Sequence, residues 1–262
     1  MLIGLRSIRK EPILGLKRLA LPASYWRTAE FAYVGRRLVY PPGARVLDLG
    51  SPKDLAFTLA HHRGYEVVAT DILPEVVALA RRYAIAQGLE GRGPGKVSCE
   101  VQDGRALGYP DHSFDGAYSV SVVEHIPDHG DSAAIRELLR VVKPSGLVVV
   151  TTPYDRRYRE TFVRGPVYER RPVGSESVFF ERHYDDTALD RRLLRPAHGG
   201  LADLEIWGEG RLRVEDLLLR PGWVRLPLSP FEALLSAIFL RRITPGGSGH
   251  PMAAFLTLRK ER

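Results

Sequence analysis

The order of apolar and polar positions follows a regular rhythm from residue 45 onward. Short apolar runs of the buried-strand type occur within ARVLDLG, YEVVATD, KVSCEVQD, FDGAYSVSVV and GLVVVTTP. Between them lie segments with apolar side chains on one helical face, namely DLAFTLAHH, LPEVVALARRYAIAQG and DSAAIRELLRVV. Strands that alternate with helices form βαβ units, whose crossovers make the strands parallel. The pattern therefore predicts an α/β fold around a parallel sheet.

Boundary residues support this division of the chain. Pro74 stands at the start of the second predicted helix and Gly88 at its end, in the positions that these residues favour. Pro144 and Gly146 are expected to break the chain between the third helix and the fifth strand.

Beyond Tyr154 the rhythm is lost. Residues 154–200 are rich in arginine, tyrosine, proline and acidic residues, and few windows are periodic. ADLEIWGEG and MAAFLTLRK predict two further strands, which brings the expected sheet to seven strands. Between these two segments, SPFEALLSAIFLRRI predicts a buried apolar helix that is capped by Ser229 and has Pro230 at its first position.

Length and composition fit one large domain better than two small ones. With 262 residues, 44% of them apolar, the chain can bury a full core, and neither a Ser/Gly-rich linker nor an internal repeat divides it. We expect a helical, basic cover segment over residues 1–40 and the main domain over residues 41–262. That domain would carry a substrate-side insertion at about 154–200 and a helical insertion at about 211–245.

The N-terminal segment MLIGLRSIRKEPILGLKRLALP mixes cations with short apolar runs. These runs are too short for a signal sequence, and the cations interrupt any membrane-spanning helix. The lone Cys99 cannot form an internal disulfide, and no Cys/His cluster has zinc spacing, so no metal is expected. These features predict a cytoplasmic protein. The segment either covers the domain or touches a membrane surface, since the net charge of +7 is spread along the chain.

Polar residues follow the predicted strands, at the edge where an open parallel sheet binds its ligands. They are Asp48 to Lys53, Asp71, Asp103, Ser119 to His125 and Thr151 to Tyr154. Asp71 follows the second strand, where a carboxylate can accept both hydrogen bonds of a ribose diol. The alternative is that Asp71 caps the helix that opens at Pro74.

This ordered series resembles the class I S-adenosylmethionine-dependent methyltransferases, particularly the small-molecule branch called type 11. The resemblance runs from VLDLG through VVATD and VQDGRALGYPDHSFDGAYSVSVVEHIPD to LLRVVKPSGLVVVTTP, ending near Pro153. It implies a Rossmann-like, doubly wound, mostly parallel seven-stranded sheet with helices on both faces. It also implies an enzyme that uses S-adenosyl-L-methionine to methylate an oxygen, nitrogen or carbon atom of a small-molecule or lipid-like acceptor.

The resemblance implies several groups of cofactor-binding residues. The group of the first motif, which approaches the methionine end of the cofactor, consists of Asp48, Gly50 and Ser51. The group at the ribose consists of Asp71 and Ile72. The group that reads the adenine ring consists of Asp103, Gly104 and Arg105. At the exit of the fourth strand, the residue that lines the cofactor and faces the acceptor is Ser119.

The first motif departs from the family pattern. The family usually reads Asp-x-Gly-x-Gly-x-Gly, whereas this chain reads DLGSPKD, with Pro52 and Asp54 in place of the second and third glycines. Glycine permits close backbone approach and unusual dihedral angles that these residues do not offer equally. We expect another loop conformation, and weakened or lost cofactor binding is the alternative. Lys53 could meet the cofactor carboxylate or remain solvated.

His125 is the candidate catalytic residue, because it follows Glu124 just beyond the fourth strand. An imidazole titrates near neutrality and could take a proton from a hydroxyl acceptor. The alternative is a structural Glu-His pair that holds the loop before Pro127. Methyl transfer does not always need a strong base, because the sulfonium is already activated and alignment can supply most of the rate.

Cations and aromatic residues are interleaved after the fifth strand, where this fold usually inserts substrate-binding elements. The cations include Arg156, Arg157, Arg159, Arg170 and Arg171. They could bind phosphate or carboxylate on an acceptor, bind RNA by stacking and phosphate contact, or pair with neighbouring acidic residues.

Two other functions remain open at this stage. A degenerate methyltransferase fold could serve as a binding or scaffold protein without catalysis, which DLGSPKD favours. An RNA methyltransferase would suit the basic balance, but a recognised RNA-binding appendage is absent from the sequence, so a nucleic-acid partner is not favoured. The cationic end of the helix at Arg241 and Arg242 keeps peripheral membrane contact open. The oligomeric state is unknown.

Overall fold

The structure is a computed structural model that describes residues 24–170, 176–198, 200–218, 228–244 and 249–261. Strands of the central sheet are β1 (Arg45–Leu49), β2 (Glu66–Asp71), β3 (Val97–Val101), β4 (Phe114–Val120), β5 (Val142–Pro153), β8 (Leu201–Glu209), β9 (Arg241–Arg242) and β10 (His250–Arg259). A separate hairpin consists of β6 (Arg159–Arg164) and β7 (Ser177–His183).

The central sheet has the strand order β3-β2-β1-β4-β5-β10-β8-β9. β1 pairs in parallel with both β2 and β4, while β3 and β5 extend this parallel block on either side. β10 is antiparallel to both β5 and β8. The predicted mostly parallel, doubly wound sheet is confirmed, and its strand order reverses at β1. All seven predicted strands are present among the described residues, and the two-residue β9 joins the edge.

Helices cover both faces of this sheet, as predicted. They are α1 (Tyr25–Arg37), α2 (Asp54–Arg63), α3 (Pro74–Gln87), α4 (Gly130–Val141), α5 (Asp186–Leu189), α6 (Val214–Leu218) and α7 (Glu232–Phe239). Buried side chains of α1, α2 and α3 pack with Val46 and Val67 in one core, and those of α4 and α5 pack with Leu47 and Val68 in another. Because successive strand side chains point to opposite faces, β1 and β2 contribute to both cores.

The start of β5 and the position of α7 differ from the predictions. β5 begins at Val142, directly after α4, so Pro144 and Gly146 lie inside the strand. Ser229 does not cap α7, because a 3₁₀ turn over Ser229–Phe231 comes first. The helix also ends earlier than predicted, at Phe239. Arg241 and Arg242 instead pair with Gly208 and Trp207 as the edge strand β9, so strand pairing rather than a longer helix satisfies their backbone groups.

The N-terminal helix α1 is the described part of the predicted cover segment, and residues 1–23 of that segment lie outside the described residues. Tyr33 of α1 is fully buried, and its hydroxyl lies 2.9 Å from the Oγ1 of Thr257 on β10. Arg37 forms an ion pair of 2.9 Å with Glu205 on β8. Polar contacts therefore attach α1 to the antiparallel half of the sheet.

A buried charge cluster fastens the segment after β5 to the rest of the domain. The carboxylate of Asp131, on α4, accepts hydrogen bonds from the Nε of Arg192 at 2.7 Å and from the hydroxyl of Tyr184 at 2.9 Å. The guanidinium of Arg182, on β7, lies 3.8 Å from that carboxylate. All four side chains are buried. The sequence did not predict the β6–β7 hairpin, because the buried Arg182 that attaches it to α4 faces a carboxylate that is distant along the chain.

We expect the variant Asp131→Ala to lower the free energy of unfolding by about 3–5 kcal/mol, because it leaves buried guanidinium groups without their carboxylate. Urea titration monitored by tryptophan fluorescence measures this loss. The matched control is Asp190→Ala, which removes an exposed ion pair with Arg195 and should cost less than about 1 kcal/mol. Equal losses in the two variants would contradict the structural role of Asp131.

Candidate active site

A pocket with about 700 Å³ of empty space opens where the parallel strands β1, β2, β3 and β4 end. We call it the first pocket. The predicted cofactor-binding and catalytic residues that line it are Gly50, Asp71, Ile72, Asp103, Gly104, Arg105 and His125. Arg170, from the cationic segment after β5, lines it as well. The fold thus brings residues from four separate loops to one cavity, at the edge where ligands bind in sheets of this kind.

Asp71 stands at the end of β2 and presents a partly buried carboxylate to the first pocket. Its Oδ1 accepts a hydrogen bond of 3.1 Å from the backbone N–H of Leu73, and its Oδ2 lies 3.8 Å from the Nζ of Lys53. Burial raises the pKa of this carboxyl group, and the Lys53 ammonium opposes the rise. Asp71 therefore stabilises the turn before α3 and lines the pocket, but it does not cap the helix, because Leu73 occupies the N-cap position.

Asp103 and Arg105 form a paired wall of the first pocket. The guanidinium of Arg105 donates from Nη2 at 2.7 Å and from Nε at 3.0 Å to the Asp103 carboxylate. This pairing holds the pKa of Asp103 below its ordinary value, so the carboxylate remains an ionised acceptor. Gly104 lies between them, and a Cβ there would approach the Cδ1 of Leu49 to 3.0 Å. A side chain at this position would crowd the pocket floor.

The loop after β1 is compact although it lacks two of the family's glycines. From Asp48 to Asp54, only Gly50 has a positive φ, at +67°. A Cβ on Gly50 would lie 2.7 Å from the Cγ1 of Val122, so this position needs glycine. Pro52 lies outside the left-handed region, and α2 begins directly at Asp54. The loop therefore accommodates Pro52 and Asp54 without left-handed backbone strain.

Lys53 is not solvated, which was one of the two alternatives for it. Its side chain is only 9% exposed. The Nζ donates hydrogen bonds to the carbonyls of Thr70 at 2.7 Å and Ser51 at 2.8 Å, and lies 3.4 Å from the Oδ2 of Asp48. Burial raises the pKa of Asp48 to about 6, with Lys53 opposing the rise. The ammonium thus binds groups of the protein, and its contact with a cofactor carboxylate stays a prediction.

Three residues expected at the cofactor lie behind the pocket wall: Asp48, Ser51 and Ser119 are 0%, 2% and 0% exposed. The Asp48 carboxylate accepts from the backbone N–H of Ser51 at 3.0 Å, and the hydroxyl of Ser119 donates to a carbonyl of β1 at 3.2 Å. Ser119 does not line the pocket, because it still lies within β4, between β1 and β5. Ser121, just beyond the strand, takes that place.

His125 lies in a 3₁₀ turn after β4. Its Nδ1 is 2.9 Å from the carbonyl oxygen of Phe180, which can only accept, so Nδ1 carries the proton of the neutral ring. Burial lowers the pKa of His125, which keeps the ring neutral at pH 7. Its Nε2 lies 3.9 Å from the Oε1 of Glu124, and burial raises the pKa of Glu124 well above its ordinary value. The Nε2 of His125 is therefore a suitable proton acceptor.

A second pocket, with about 1260 Å³ of empty space, adjoins the first and shares Ser121 and His125 with it. Many of its lining side chains are charged, and they come from α1, the strand ends and the segment after β5. Glu30 of α1 is 3% exposed and accepts hydrogen bonds from the hydroxyls of Ser121 at 2.6 Å and Thr151 at 2.8 Å. The N-terminal helix therefore completes this pocket.

The sequence analysis did not identify Tyr168 and Glu169 as site residues, although both line the first pocket. The Tyr168 ring lies edge-on to His125 at 5.4 Å, and Arg170 donates to the carbonyl of His125 at 3.1 Å. The alternation of cations and aromatic residues in this segment was the sequence signal that could have identified them. Two other cations of the segment, Arg156 and Arg159, line the second pocket instead.

The remaining predicted cations contribute less to the described pockets. Arg157 is exposed, and Arg171 lies outside the described residues. Arg159 lies 3.3 Å from the carboxylate of Asp155, and its Nη2 is 2.9 Å from the Nδ1 of His183. Pairing with neighbouring side chains, one of the alternatives left open by the sequence, therefore accounts for part of this cationic segment.

Residues 47–150 match the family model described as a methyltransferase domain. The matched segment extends from β1 into β5 and includes the strand ends that form the first pocket. This part of the chain therefore matches a methyltransferase domain, in agreement with the resemblance seen in the sequence.

Curated relatives are similar to a larger part of the chain. The 2-methyl-6-phytyl-1,4-hydroquinone methyltransferase of a Synechocystis species is 38% identical over 204 residues, which are 73% of this chain and 60% of that protein. The ubiquinone biosynthesis O-methyltransferase of Xanthomonas axonopodis pv. citri is 34% identical over 121 residues, 46% of this chain and 47% of that protein. The chain thus spans about half to three fifths of the length of these relatives.

Solved structures share the fold at low sequence identity. The [4+2]-cyclase SpnF is 23% identical, with a TM-score of 0.56 and coverage of 92% of this chain and 84% of that chain. Phosphoethanolamine N-methyltransferase 2 of Haemonchus contortus, in complex with S-adenosyl-L-methionine, is 16% identical with a TM-score of 0.56, covering 89% of this chain and 52% of that one. These likenesses establish the fold.

We expect His125 to titrate below about pH 6.5, the ordinary value for histidine, and to carry its neutral-state proton on Nδ1. Burial lowers the pKa, and the hydrogen bond to the Phe180 carbonyl selects the tautomer. Two-bond ¹H–¹⁵N correlation spectra, recorded over a pH series, report both properties. The variant His125→Gln assigns the signal. A ring protonated on Nε2 at pH 7 would show that this nitrogen is not the proton acceptor.

Proposed function

We propose that this protein binds S-adenosylmethionine in the first pocket and transfers the methyl group to a small molecule in the second. The observation that carries the proposal is the shared border of the two pockets, formed by Ser121 and His125. A methyl donor and an acceptor on either side of this border would lie close enough for alignment to supply much of the rate.

The residues of the first pocket fit the adenosyl part of the cofactor. The Asp71 carboxylate would accept hydrogen bonds from the ribose hydroxyls. Asp103, which Arg105 keeps ionised, would accept a hydrogen bond from the adenine amino group. Apolar side chains of Ile72 and Val122 offer a surface for the ring. When bound, S-adenosylmethionine supplies a methyl group already activated by a sulfonium.

The second pocket favours a polar acceptor over one with a long apolar tail. Its lining contains acidic, basic and imidazole side chains, among them Glu30, Arg156 and Arg159. Polar groups of this kind lose hydrogen bonds to water when an apolar group covers them. An acceptor hydroxyl beside His125 could transfer its proton to Nε2 as the methyl group arrives.

We expect calorimetry to detect binding of S-adenosylmethionine, and Asp71→Ala to weaken it at least about tenfold, because the ribose would lose a charged hydrogen-bond acceptor. The matched control is Asp190→Ala, which changes an exposed acidic side chain that does not line the first pocket. His125→Ala should retain binding but slow methyl transfer to hydroxylated aromatic acids, measured as release of S-adenosylhomocysteine.

Each arm of this experiment has a contrary result. A wild-type protein that fails to bind S-adenosylmethionine at high micromolar concentration would overturn the cofactor assignment and favour a scaffold protein. Binding without methyl transfer would separate the site from the reaction. If His125→Ala turned over at the wild-type rate, the proton would leave by another route.

We also propose that α7 contacts an anionic lipid surface. Leu234 and Ile238 on this helix are 58% and 61% exposed, and the exposed Arg241 and Arg242 begin two residues after its end. Burial of such apolar side chains is worth roughly 1.5–3 kcal/mol each, and a basic residue near anionic lipid adds about 1 kcal/mol. Among the described residues, no helix is long and apolar enough to cross a membrane, so this contact would be peripheral.

We expect the protein to sediment with phosphatidylserine-containing vesicles and less with pure phosphatidylcholine vesicles, because the arginines need an anionic partner. The double change Leu234→Ser and Ile238→Ser should reduce sedimentation several-fold. Ile85→Ser removes an exposed apolar side chain from α3 and is the control. Equal sedimentation of the double variant and the wild type, or none with either vesicle, would exclude this surface as a lipid contact.

A further inference from the structure

Lys53 contacts β1, the loop after β1, and β2, all of which lie at the first pocket. Its ammonium binds the carbonyl of Ser51 in the loop after β1 and the carbonyl of Thr70 near the end of β2. The same ammonium lies 3.4 Å from the Oδ2 of Asp48 and 3.8 Å from the Oδ2 of Asp71. A single buried cation therefore bridges a wall residue of the pocket and the carboxylate behind it.

Lys53 belongs to the part of the first motif in which this chain departs from the family pattern. Lys53 lies between Pro52 and Asp54, which replace the second and third glycines of the family's first motif. Glycines let a loop approach a ligand through its backbone, whereas this loop is closed down onto β2 by a side chain. We propose that Lys53 is a positioning residue for cofactor binding, which holds the side chains of Asp48 and Asp71 in place where the family's glycines are missing.

Electrostatics shows why such a cation is needed. Asp48 is fully buried and Asp71 partly buried, and burial raises the pKa of both carboxyl groups. Burial disfavours the charged form of a carboxyl group, because it removes the charge from water. Lys53 is the cation that lowers the pKa of each. Its three donors also match the geometry, since an ammonium can serve two carbonyls and still face a carboxylate.

The other ionisable groups that face this bridge do not replace Lys53. Burial raises the pKa of Cys99 on β3 to about 11 and that of Tyr118 on β4 well above its ordinary value, so both are neutral at pH 7. Glu75 on α3 acts on Asp71 as a like charge, and Tyr168 faces it across the first pocket. The charge of Lys53 is therefore the one expected to set the ionisation of the two carboxylates.

This role of Lys53 rests on the proposed cofactor binding, and it predicts how the affinity for the cofactor depends on pH. A carboxylate accepts the ribose hydrogen bonds in its ionised form, so affinity should fall as the pH drops through the carboxyl pKa. Loss of the Lys53 charge removes one of the interactions that oppose burial, and so raises that pKa further. Variants without the charge should therefore lose affinity at a higher pH than the wild type, and recover it in alkaline buffer.

The experiment measures binding of S-adenosylhomocysteine by calorimetry from pH 5.5 to pH 9, a range of about 3.5 units that brackets the expected titration, with circular dichroism to verify folding. Lys53→Met removes both charge and donors, Lys53→Gln keeps an amide donor without the charge, and Lys53→Arg keeps the charge. Lys96→Met is the matched control, because Lys96 binds a backbone carbonyl away from the pocket.

We expect Lys53→Met and Lys53→Gln to shift the loss of affinity to higher pH, and to weaken binding up to about tenfold at pH values below the wild-type titration, equivalent to about one pKa unit. Lys53→Arg should restore much of the binding, and Lys96→Met should bind like the wild type. In a background of Asp71→Asn, Lys53→Met should cost less than it does alone, because coupled residues are not additive.

The possible failures are distinguishable. A wild-type protein that does not bind S-adenosylhomocysteine overturns the cofactor assignment, and the inference with it. Normal binding and an unchanged pH profile in Lys53→Gln overturn the role of the charge alone. If Lys53→Met does not fold, Lys53→Gln and Lys53→Arg still compare an uncharged with a charged side chain, and equal profiles in those two variants refute the inference.

Discussion

Parallel pairing of β1 with β2 on one side and β4 on the other is the constraint on which the site depends. These strands end at the same edge of the sheet. Asp48, Asp71 and the turn after β4 therefore lie close together although they are far apart in the sequence. The same pairing concentrates acidic groups in a buried place, where their charge is unfavourable. Lys53 offsets this cost from within the fold, and the loop that carries it needs only one residue in the left-handed region.

The segment after β5 and the helix α1 add what the sheet alone lacks. They contribute walls to the second pocket, and that pocket meets the first at His125 and Ser121. Asp131 fastens the added segment to α4 through buried arginines, so the wall that touches His125 is attached to the rigid part of the molecule. The tautomer of His125 depends on this attachment, because the carbonyl that fixes it belongs to β7.

The fold by itself does not define a reaction, since folds of this kind host several chemistries. Solved structures that share it include a [4+2]-cyclase and a phosphoethanolamine N-methyltransferase. The site is what favours methyl transfer: acidic residues lie at two strand ends, and a neutral histidine lies between two adjoining cavities. The polar lining of the second cavity sets this chain's proposed acceptor apart from a long apolar molecule.

Sequence periodicity determined the seven principal strands, the helices between the first five of them and the positions of Asp71, Asp103 and His125, because burial imposes a local repeat and ligand sites follow strand ends. Tertiary structure alone decided which residues reach the pocket. Ser119 is enclosed between neighbouring strands, and Tyr168 arrives from a distant hairpin. Lys53, readable as a solvated cation, is buried by carbonyls and carboxylates from two strands. Burial and charge neutralisation depend on such neighbours, which a linear pattern does not specify.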